Sequence, residues 1–273
     1  MASQELKNYV QGVADAVKNL KDNKKNIELE VIDALFQASR VAMFTEEDYK
    51  YSLALSNQVK KFLAERIYTE TKGQYGLWEL ENLSVNMGRP FPEIDLFYET
   101  LKQESFYNLQ SFIYYMERKR KSDKRFYCPR RNTLNFVLND LTEFENGKFH
   151  FYGLSMPPRT GKSTLCIFFL NWVMMKRPNS HNAMCGHSGV LSKGFFKETC
   201  NFITSEEYCF KELYEFWHPE AKLVQSKSAE DCTINLDKPD RFSTLTCRGI
   251  DGTWTGAVDV SNDGYLYVDD LIS

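Results

Sequence analysis

The spacing of apolar residues along the chain changes near residue 125. Before that point, apolar residues recur every three or four positions, which is the spacing of one helix face. The helices that this pattern predicts span 5–23, 27–44, 45–71 and 93–121. Glycines and prolines interrupt it between 73 and 92, where we expect a looser segment. A helical N-terminal region over 1–125 is therefore predicted.

Beyond residue 125, short β-prone runs alternate with helical ones. The predicted strands span 148–155, 180–188, 243–247 and 264–273. An amphipathic helical run, TLCIFFLNWVMMKR, follows the first of them. Strands that alternate with helices are typical of α/β folds with a mainly parallel sheet. We therefore predict an α/β domain over 126–273.

Composition is ordinary for a globular protein and restricts the partners. Of the 273 residues, 42% are hydrophobic and 26% are charged. The formal net charge is −3, so any contact with nucleic acid must come from a local patch. The segment 118–131 holds eight Lys or Arg residues. It is either a patch that contacts DNA phosphates or a solvated helix end, and both interpretations stay open.

Cysteine usage and the apolar runs indicate the compartment. The seven scattered cysteines include no CxxC pair, which favours reduced thiols in a cytosol-like compartment. The polar N-terminus is not typical of a signal peptide, and no apolar run approaches membrane-spanning length. His181, Cys185 and His187 have a spacing compatible with metal ligands, but a packed strand is the favoured interpretation. We expect an intracellular protein with no membrane partner.

The stretch MPPRTGKST at 156–164 ends like a phosphate-binding loop. Gly161, Lys162 and Ser163 follow a predicted strand and open a predicted helix, which is the context that such a loop requires. N–H groups at the helix start would cradle phosphate, the lysine would bind the β- and γ-phosphates, and the hydroxyl would ligate Mg²⁺. Met156 replaces the usual first glycine, and two prolines stiffen the loop. On this motif alone, a chance GKST at a helix start stays open.

Two acids follow the last apolar strand, YLYVDD. The first, Asp269, would hold Mg²⁺ through its water shell, and the second, Asp270, would orient or deprotonate an attacking water. Acid pairs also end strands as ordinary turns. The phosphate-loop motif and the acid pair, in this order, together predict an ATPase core that uses ATP and Mg²⁺.

These motifs together resemble the large terminase subunit of tailed bacteriophages, the ATP-driven motor that packages DNA. MPPRTGKST is similar to the deviant phosphate loop of that family, in which an arginine commonly lies inside the loop, as Arg159 does here. The further matching stretches are RPNSHNAMCGHS, TCRGIDGTWTG, YLYVDD and FYCPRR. FYCPRR stands where the family recognises adenine, with Arg131 in place of the usual glutamine. The resemblance covers 126–273.

The resemblance implies a P-loop NTPase core of the additional-strand type and a set of site residues. The residues that it implies around ATP are Pro158, Arg159, Thr160, Gly161, Lys162, Ser163, Thr164 and Arg131. Ser163 and Asp269 would serve Mg²⁺, and Asp270 would be the catalytic carboxylate. Arg159 would stabilise the transferring phosphoryl group or sense the nucleotide. Arg248 is a candidate arginine finger on a neighbouring subunit's nucleotide, and a plain surface arginine stays open as the alternative.

The resemblance also implies a function and partners. The expected activity is ATP hydrolysis that drives double-stranded DNA into the procapsid. A homo-oligomeric ring on the portal, a pentamer in this family, and a small terminase subunit are the expected partners. The expected location is the host cytoplasm, at the procapsid portal during packaging, and not the mature virion. The chain ends three residues after Asp270, so we expect a truncated ATPase core without the family's nuclease domain.

Two other classes of function stay open. One is a different P-loop nucleic-acid motor, helicase-like or a repair ATPase, which single-stranded nucleic acid would stimulate. The other is a non-catalytic binding module, in which the helical region carries the function and the P-loop is vestigial. Failure to bind ATP would favour the binding module.

Overall fold

The structure is a computed structural model that describes residues 4, 8, 11–13, 15–16, 18–19, 28–43, 49–74, 76, 91–238 and 240–269. Most of the predicted helix over 5–23 lies outside the described residues, and so does Asp270. The chain divides into two units, 1–104 and 105–273. The domain boundary predicted after residue 125 stays a prediction.

Three helices of the first unit have described bounds, α1 (Leu29–Met43), α2 (Tyr49–Glu70) and α3 (Pro92–Glu104), and the described residues within 4–19 are helical as well. The first two confirm the helices predicted over 27–44 and 45–71. The side chains that the three helices bury fully or almost fully include Ile32 and Leu35 of α1, Val59 and Leu63 of α2, and Phe97 of α3. Buried polar side chains add to this packing, since the Gln103 amide donates a hydrogen bond to Ser39 Oγ at 2.9 Å.

Five α-helices and five strands form the described part of the second unit, together with short 3₁₀ helices at Ser122–Lys124 and Cys128–Arg130. The helices are α4 (Leu109–Met116), α5 (Arg131–Glu145), α6 (Lys162–Lys176), α7 (Gly189–Thr204) and α8 (Phe210–Trp217). The strands are β1 (Asn182–Gly186), β2 (Ser226–Ser228), β3 (Thr233–Asn235), β4 (Leu245–Gly249) and β5 (Leu266–Asp269). Strands β1, β4 and β5 confirm three of the four predicted strands.

The helical segment predicted over 93–121 is two helices, α3 and α4. Residues 105–107 form a turn between them, and Asn108 caps the start of α4 by accepting a hydrogen bond from the N–H of Ser111. An asparagine side chain in this position satisfies an N–H group that would otherwise lack a partner, so it favours a new helix start. The apolar spacing continues through the break and therefore conceals it.

The sheet is mixed, with strand order β2-β3-β4-β1-β5. Strand β1 is parallel to both β4 and β5, whereas β3 is antiparallel to both β2 and β4. The α/β class is therefore confirmed, but parallel pairing is limited to three strands. The short link between β2 and β3 allows only an antiparallel pair, because a parallel pair needs a long crossover.

The strand predicted over 148–155 is not formed, because none of its residues pairs with the sheet. Its side chains still alternate, since Phe151 is exposed and Tyr152 is half-buried. Period-two alternation indicates a pleated backbone, but it does not supply a hydrogen-bonding neighbour. The apolar pattern was therefore insufficient to predict a strand here.

Helix α6 lies in the core of the second unit, with Phe168, Trp172 and Val173 fully buried. Every residue from 167 to 175 is buried, including the polar Asn171, so the helix is buried on all sides rather than on one face as its predicted amphipathic character implied. A helix of this kind occurs either in a protein core or in a membrane. No helix in the described parts of the chain is both long and apolar enough to cross a membrane.

Candidate functional site

The first turn of α6 and the ends of the parallel strands form the candidate site. Gly161 precedes the helix in the left-handed region, with φ 96°. Glycine adopts this conformation without the steric cost of a Cβ atom. The turn brings the chain from the predicted phosphate loop into α6, whose N-terminal N–H groups carry partial positive charge.

Three strand ends lie side by side near this turn. Gly186 of β1 is in register with Asp269 of β5 on one side and with Gly249 of β4 on the other. Because all three strands are parallel, their carboxyl ends form one edge of the sheet. Ligands of open α/β sheets bind outside this edge.

Asp269 contacts two residues of the predicted phosphate loop, Lys162 and Ser163. The Ser163 hydroxyl donates a hydrogen bond to Asp269 Oδ2 at 3.0 Å. The Lys162 ammonium lies 3.3 Å from Asp269 Oδ1, and the Asp269 side chain is only 3% exposed. The structure therefore brings Asp269 to two neighbouring residues of the predicted phosphate loop that lie more than a hundred positions earlier in the sequence.

The buried carboxylate of Asp269 has unused acceptor capacity. Its Oδ1 atom has no hydrogen-bond donor among the described residues, and its charge is met only by Lys162. Hard cations such as Mg²⁺ take oxygen ligands, commonly one or two carboxylates together with substrate phosphates and water. The described residues contain no group of three or more His, Cys, Asp or Glu side chains able to hold a metal. The donor set of Ser163 and Asp269 fits a Mg²⁺ ion that is shared with phosphate.

Two further titratable side chains, those of Cys166 and Tyr267, lie next to Lys162 and Asp269 and are called the floor residues. Cys166 lies one helical turn after Lys162, and Tyr267 lies two residues before Asp269 on the same face of the sheet. Burial raises the pKa of Cys166 to about 12. Burial, together with the charges of Cys166 and Asp269, also raises the pKa of Tyr267. Both groups are therefore neutral near pH 7, and the charges at this point are those of Lys162 and Asp269.

Sequence reasoning missed both floor residues, although their spacing carries the signal. Residues four apart on a helix share a face, and so do residues two apart on a strand. It also missed Phe126, whose ring lies against Gly161: a Cβ atom at Gly161 would be 2.3 Å from Phe126 Cε2. No local pattern connects residues 126 and 161.

The remaining loop residues are accessible. Pro158 and Arg159 are exposed, and Arg159 has φ 63°, a left-handed conformation that is uncommon outside glycine. The Thr160 hydroxyl donates a hydrogen bond to the carbonyl of Pro157 at 2.7 Å. Thr164 is half-buried in the first turn of α6. The predicted phosphoryl contact of Arg159 therefore starts from an exposed side chain.

Arg248 is not brought to Asp269. It is in register with Cys185 of β1, which is in register with Val268, whereas Gly249 shares the level of Asp269. Side chains alternate between faces along a strand, so Arg248 lies on the sheet face opposite Asp269. Its Nε atom is buried and has no hydrogen-bond acceptor within the described ranges. The arginine-finger role stays a prediction.

The cations of the segment 118–131 largely make contacts within their own unit. Arg118 contacts Glu212 at 2.5 Å, and Lys119 contacts the same carboxylate. Arg120 pairs with Glu117, and Arg125 donates to the carbonyl of Arg118 at 2.6 Å. Lys121 and Lys124 remain exposed, so the DNA patch and the solvated helix end both stay predictions for this segment.

Arg131 begins α5 and is half-buried near Tyr127. Burial raises the pKa of Tyr127 to about 12, although the hydrogen bond from Gln110 and the charge of Arg131 act to lower it. The predicted adenine contact of Arg131 is not tested by this position.

His181 makes contacts that do not suggest a metal site. Its Nδ1 lies 2.8 Å from Asp259 and its Nε2 lies 3.2 Å from Asp240. The two carboxylates are thus on opposite ring nitrogens and do not converge on one point. The packed-strand interpretation of this segment agrees with the fully buried strand β1.

Known proteins offer no guide to this site: no protein-family model, no curated protein and no solved structure matches the chain.

Proposed function

We propose that this chain is an ATPase, with Lys162, Ser163 and Asp269 as the centre of its nucleotide site. One observation carries the proposal: a buried carboxylate at the end of a parallel strand meets a lysine and a serine from the first turn of a helix. Hydroxyl, ammonium and carboxylate groups in this combination suit a phosphate chain with a bound Mg²⁺ ion.

In this proposal each group has a separate task. The N–H groups at the start of α6 and the Lys162 ammonium would bind the phosphates, because both carry positive charge and belong to the same helix end. Lys162 contacts Asp269 in this structure. When a nucleotide binds, the Lys162 ammonium would also interact with the β- and γ-phosphates. Ser163 and Asp269 would hold Mg²⁺, and the bound ion would neutralise phosphate charge during hydrolysis.

Other roles come from the sequence alone. Asp270, outside the described residues, is proposed to orient or deprotonate the attacking water. Arg159 is proposed to stabilise charge on the transferring phosphoryl group. Arg131 is proposed to contact the adenine, and Arg248 to act on the nucleotide of a neighbouring subunit.

The resemblance to terminase large subunits extends the proposal to a motor. ATP hydrolysis would drive double-stranded DNA into a procapsid, in the host cytoplasm, by a ring of subunits, five by resemblance, that works on the portal with a small terminase subunit. The P-loop NTPase fold of the additional-strand type belongs to the same proposal. The three parallel strand ends next to α6 support that fold.

ATP binding and turnover test the proposal, with and without double-stranded DNA. The parent chain is compared with Lys162→Ala, Asp269→Asn and Asp270→Ala. Lys211→Ala is the control, because Lys211 is an exposed lysine of another helix and pairs only loosely with Glu215 at 3.6 Å. We expect Lys162→Ala to weaken ATP binding and the two acid variants to abolish turnover, with no change in the control.

The alternatives give different results. Stimulation by single-stranded but not double-stranded DNA would favour a helicase-like or repair motor. Absence of ATP binding by the parent chain would contradict the ATPase proposal and favour a binding module. Turnover that survives in Lys162→Ala would show that the active site lies elsewhere.

A further inference from the structure

Gly161 is restricted by its neighbour as well as by its backbone. A Cβ atom at this position would lie 2.3 Å from Cε2 and 2.8 Å from Cζ of Phe126. Real Cβ atoms do not approach other heavy atoms this closely. The Phe126 ring therefore fills the space on the core side of Gly161, at the point where the loop enters α6.

The Phe126 ring is held in place by its packing. It is 9% exposed and stacks on Phe168 of α6, with ring centroids 5.8 Å apart. The Arg130 guanidinium lies 5.1 Å from the ring centroid, and its Nη1 donates a hydrogen bond to the Phe126 carbonyl. The ring thus lies against Gly161 just before α6 and against Phe168 inside α6.

The backbone of Phe126 is anchored separately. Glu117 is 1% exposed, and its two carboxylate oxygens accept hydrogen bonds from the N–H groups of Phe126 at 2.8 Å and Tyr127 at 2.9 Å. Arg120 supplies the positive partner at 3.3 Å. A buried carboxylate with two backbone donors and an arginine forms a rigid anchor, because charge-assisted hydrogen bonds are stronger than neutral ones.

We propose that Phe126, anchored by Glu117, is a positioning residue: it holds Gly161 in the conformation that sets the direction of the phosphate-binding N–H groups at the start of α6. This inference extends the proposed nucleotide site. Without the ring, Gly161 has space to move toward the core, and glycine has many backbone conformations to adopt. The direction of the first N–H groups of α6 would then no longer be fixed before phosphate arrives.

The test compares Phe126→Leu with Phe202→Leu. Phe202 is a matched control, because it is 1% exposed and its ring lies 4.6 Å from the same Phe168 ring. The three atoms nearest to a Cβ at Gly161 all belong to Phe126, so only the first variant removes the ring from the loop. Both variants lose a ring of the same core cluster, and thermal unfolding is measured first to check that each is folded at the temperature of the assay.

Two readouts are used. The first is the affinity for ATP with Mg²⁺, measured by calorimetry. The second is the Gly161 signal in glycine-labelled protein, assigned with Gly161→Ala, because a ring in contact with Gly161 shifts that signal. We expect Phe126→Leu to weaken ATP binding by between about tenfold and a hundredfold and to move the Gly161 signal more than any other glycine signal. Phe202→Leu should change neither.

Glu117→Gln gives a second variant that leaves the ring in place. The glutamine side chain keeps the shape of glutamate, but it offers only one carbonyl acceptor for two backbone N–H groups. We expect Glu117→Gln to weaken ATP binding and to move the Gly161 signal, each by less than Phe126→Leu does. If Glu117→Gln is unfolded and Phe126→Leu is folded, the result for Phe126→Leu decides.

Unchanged ATP affinity in Phe126→Leu would overturn the positioning role and leave the ATPase proposal intact. If the parent chain does not bind ATP, the ATPase proposal fails and the Gly161 signal decides about Phe126. A signal that also moves in Glu117→Gln, which keeps the ring, would then support the positioning of the loop, and a signal that moves only when the ring is removed would overturn it.

Discussion

Gly161 shows how one residue can be required for two independent reasons. Its φ of 96° is unfavourable for any residue with a Cβ atom, and its Cβ position is occupied by the Phe126 ring. The sequence motif predicts a glycine here for its contact with phosphate. The structure adds a requirement from the core, which is present before any ligand binds.

We predict that Gly161→Ala lowers the free energy of unfolding by about 1–3 kcal/mol from backbone strain, with a further loss from displacement of the ring. Urea denaturation measures the change. Gly194→Ala is the control, because Gly194 lies inside α7 with nothing within 4 Å of its Cβ position, so alanine there should stabilise the protein by about 1 kcal/mol. Equal stability of parent and Gly161→Ala would contradict the geometry described here.

Glu145 connects three elements at the opposite end of α6. Its buried carboxylate contacts Arg177 at 2.5 Å and Lys176 at 2.8 Å, and it accepts a hydrogen bond from Tyr265, just before β5, at 2.7 Å. Burial alone would raise the pKa of Glu145. The hydrogen bond from Arg177 and the charge of Lys176 outweigh this and hold the pKa below its ordinary value of 4.5.

A carboxylate with a lowered pKa stabilises the folded state above its unfolded pKa, and this contribution is lost as pH falls through the folded pKa. We therefore predict that Glu145→Gln lowers the free energy of unfolding by about 3 kcal/mol near neutral pH, since it leaves two cations without their carboxylate. The difference between parent and variant should shrink as pH falls below 4.5. Urea denaturation at several pH values measures it.

Glu143→Gln is the control for this experiment. Glu143 lies on the same helix but is 48% exposed and pairs with exposed Lys148 at 3.0 Å. Exposed pairs contribute little, about 0–1 kcal/mol. A pH-independent difference for Glu145→Gln would argue against a lowered pKa at this position.

The break between α3 and α4 gives a second prediction about an element. Asn108→Ala removes the side-chain acceptor for the Ser111 N–H and should destabilise the protein by about 0.5–2 kcal/mol. Asn108→Ser keeps a capping oxygen and should cost much less. Thermal unfolding of the two variants compares them. Equal loss in both would mean that capping does not define the start of α4.

The proposed site lies within one of the two units of the molecule. All described residues assigned to nucleotide binding are in 105–273, and none is in 1–104. We predict that ATP with Mg²⁺ at a hundred times Kd stabilises the unit 105–273 by about 2.7 kcal/mol. Amide hydrogen exchange should slow there and stay unchanged in α1 and α2. Equal slowing in both units would contradict this assignment.

Much of the local structure was predictable from the chain. Helices α1 and α2 follow their apolar spacing, and β1, β4 and β5 follow their short apolar runs. Periodicity succeeds here because the face that a side chain occupies depends on the backbone geometry of a few neighbouring residues. The motif at Gly161, Lys162 and Ser163 was recognisable for the same reason, as a loop followed directly by a helix.

Contacts between distant segments were not predictable in this way. The meeting of Ser163 and Lys162 with Asp269 was expected from the order of two motifs, but the ring of Phe126 against Gly161 was not. Nor was the unpaired state of 148–155, although its side chains alternate. Local spacing specifies how a segment is pleated or coiled. Which segments pair, and which ring fills the space at a glycine, depends on the packing of the whole unit, because each contact competes with every other arrangement of the core.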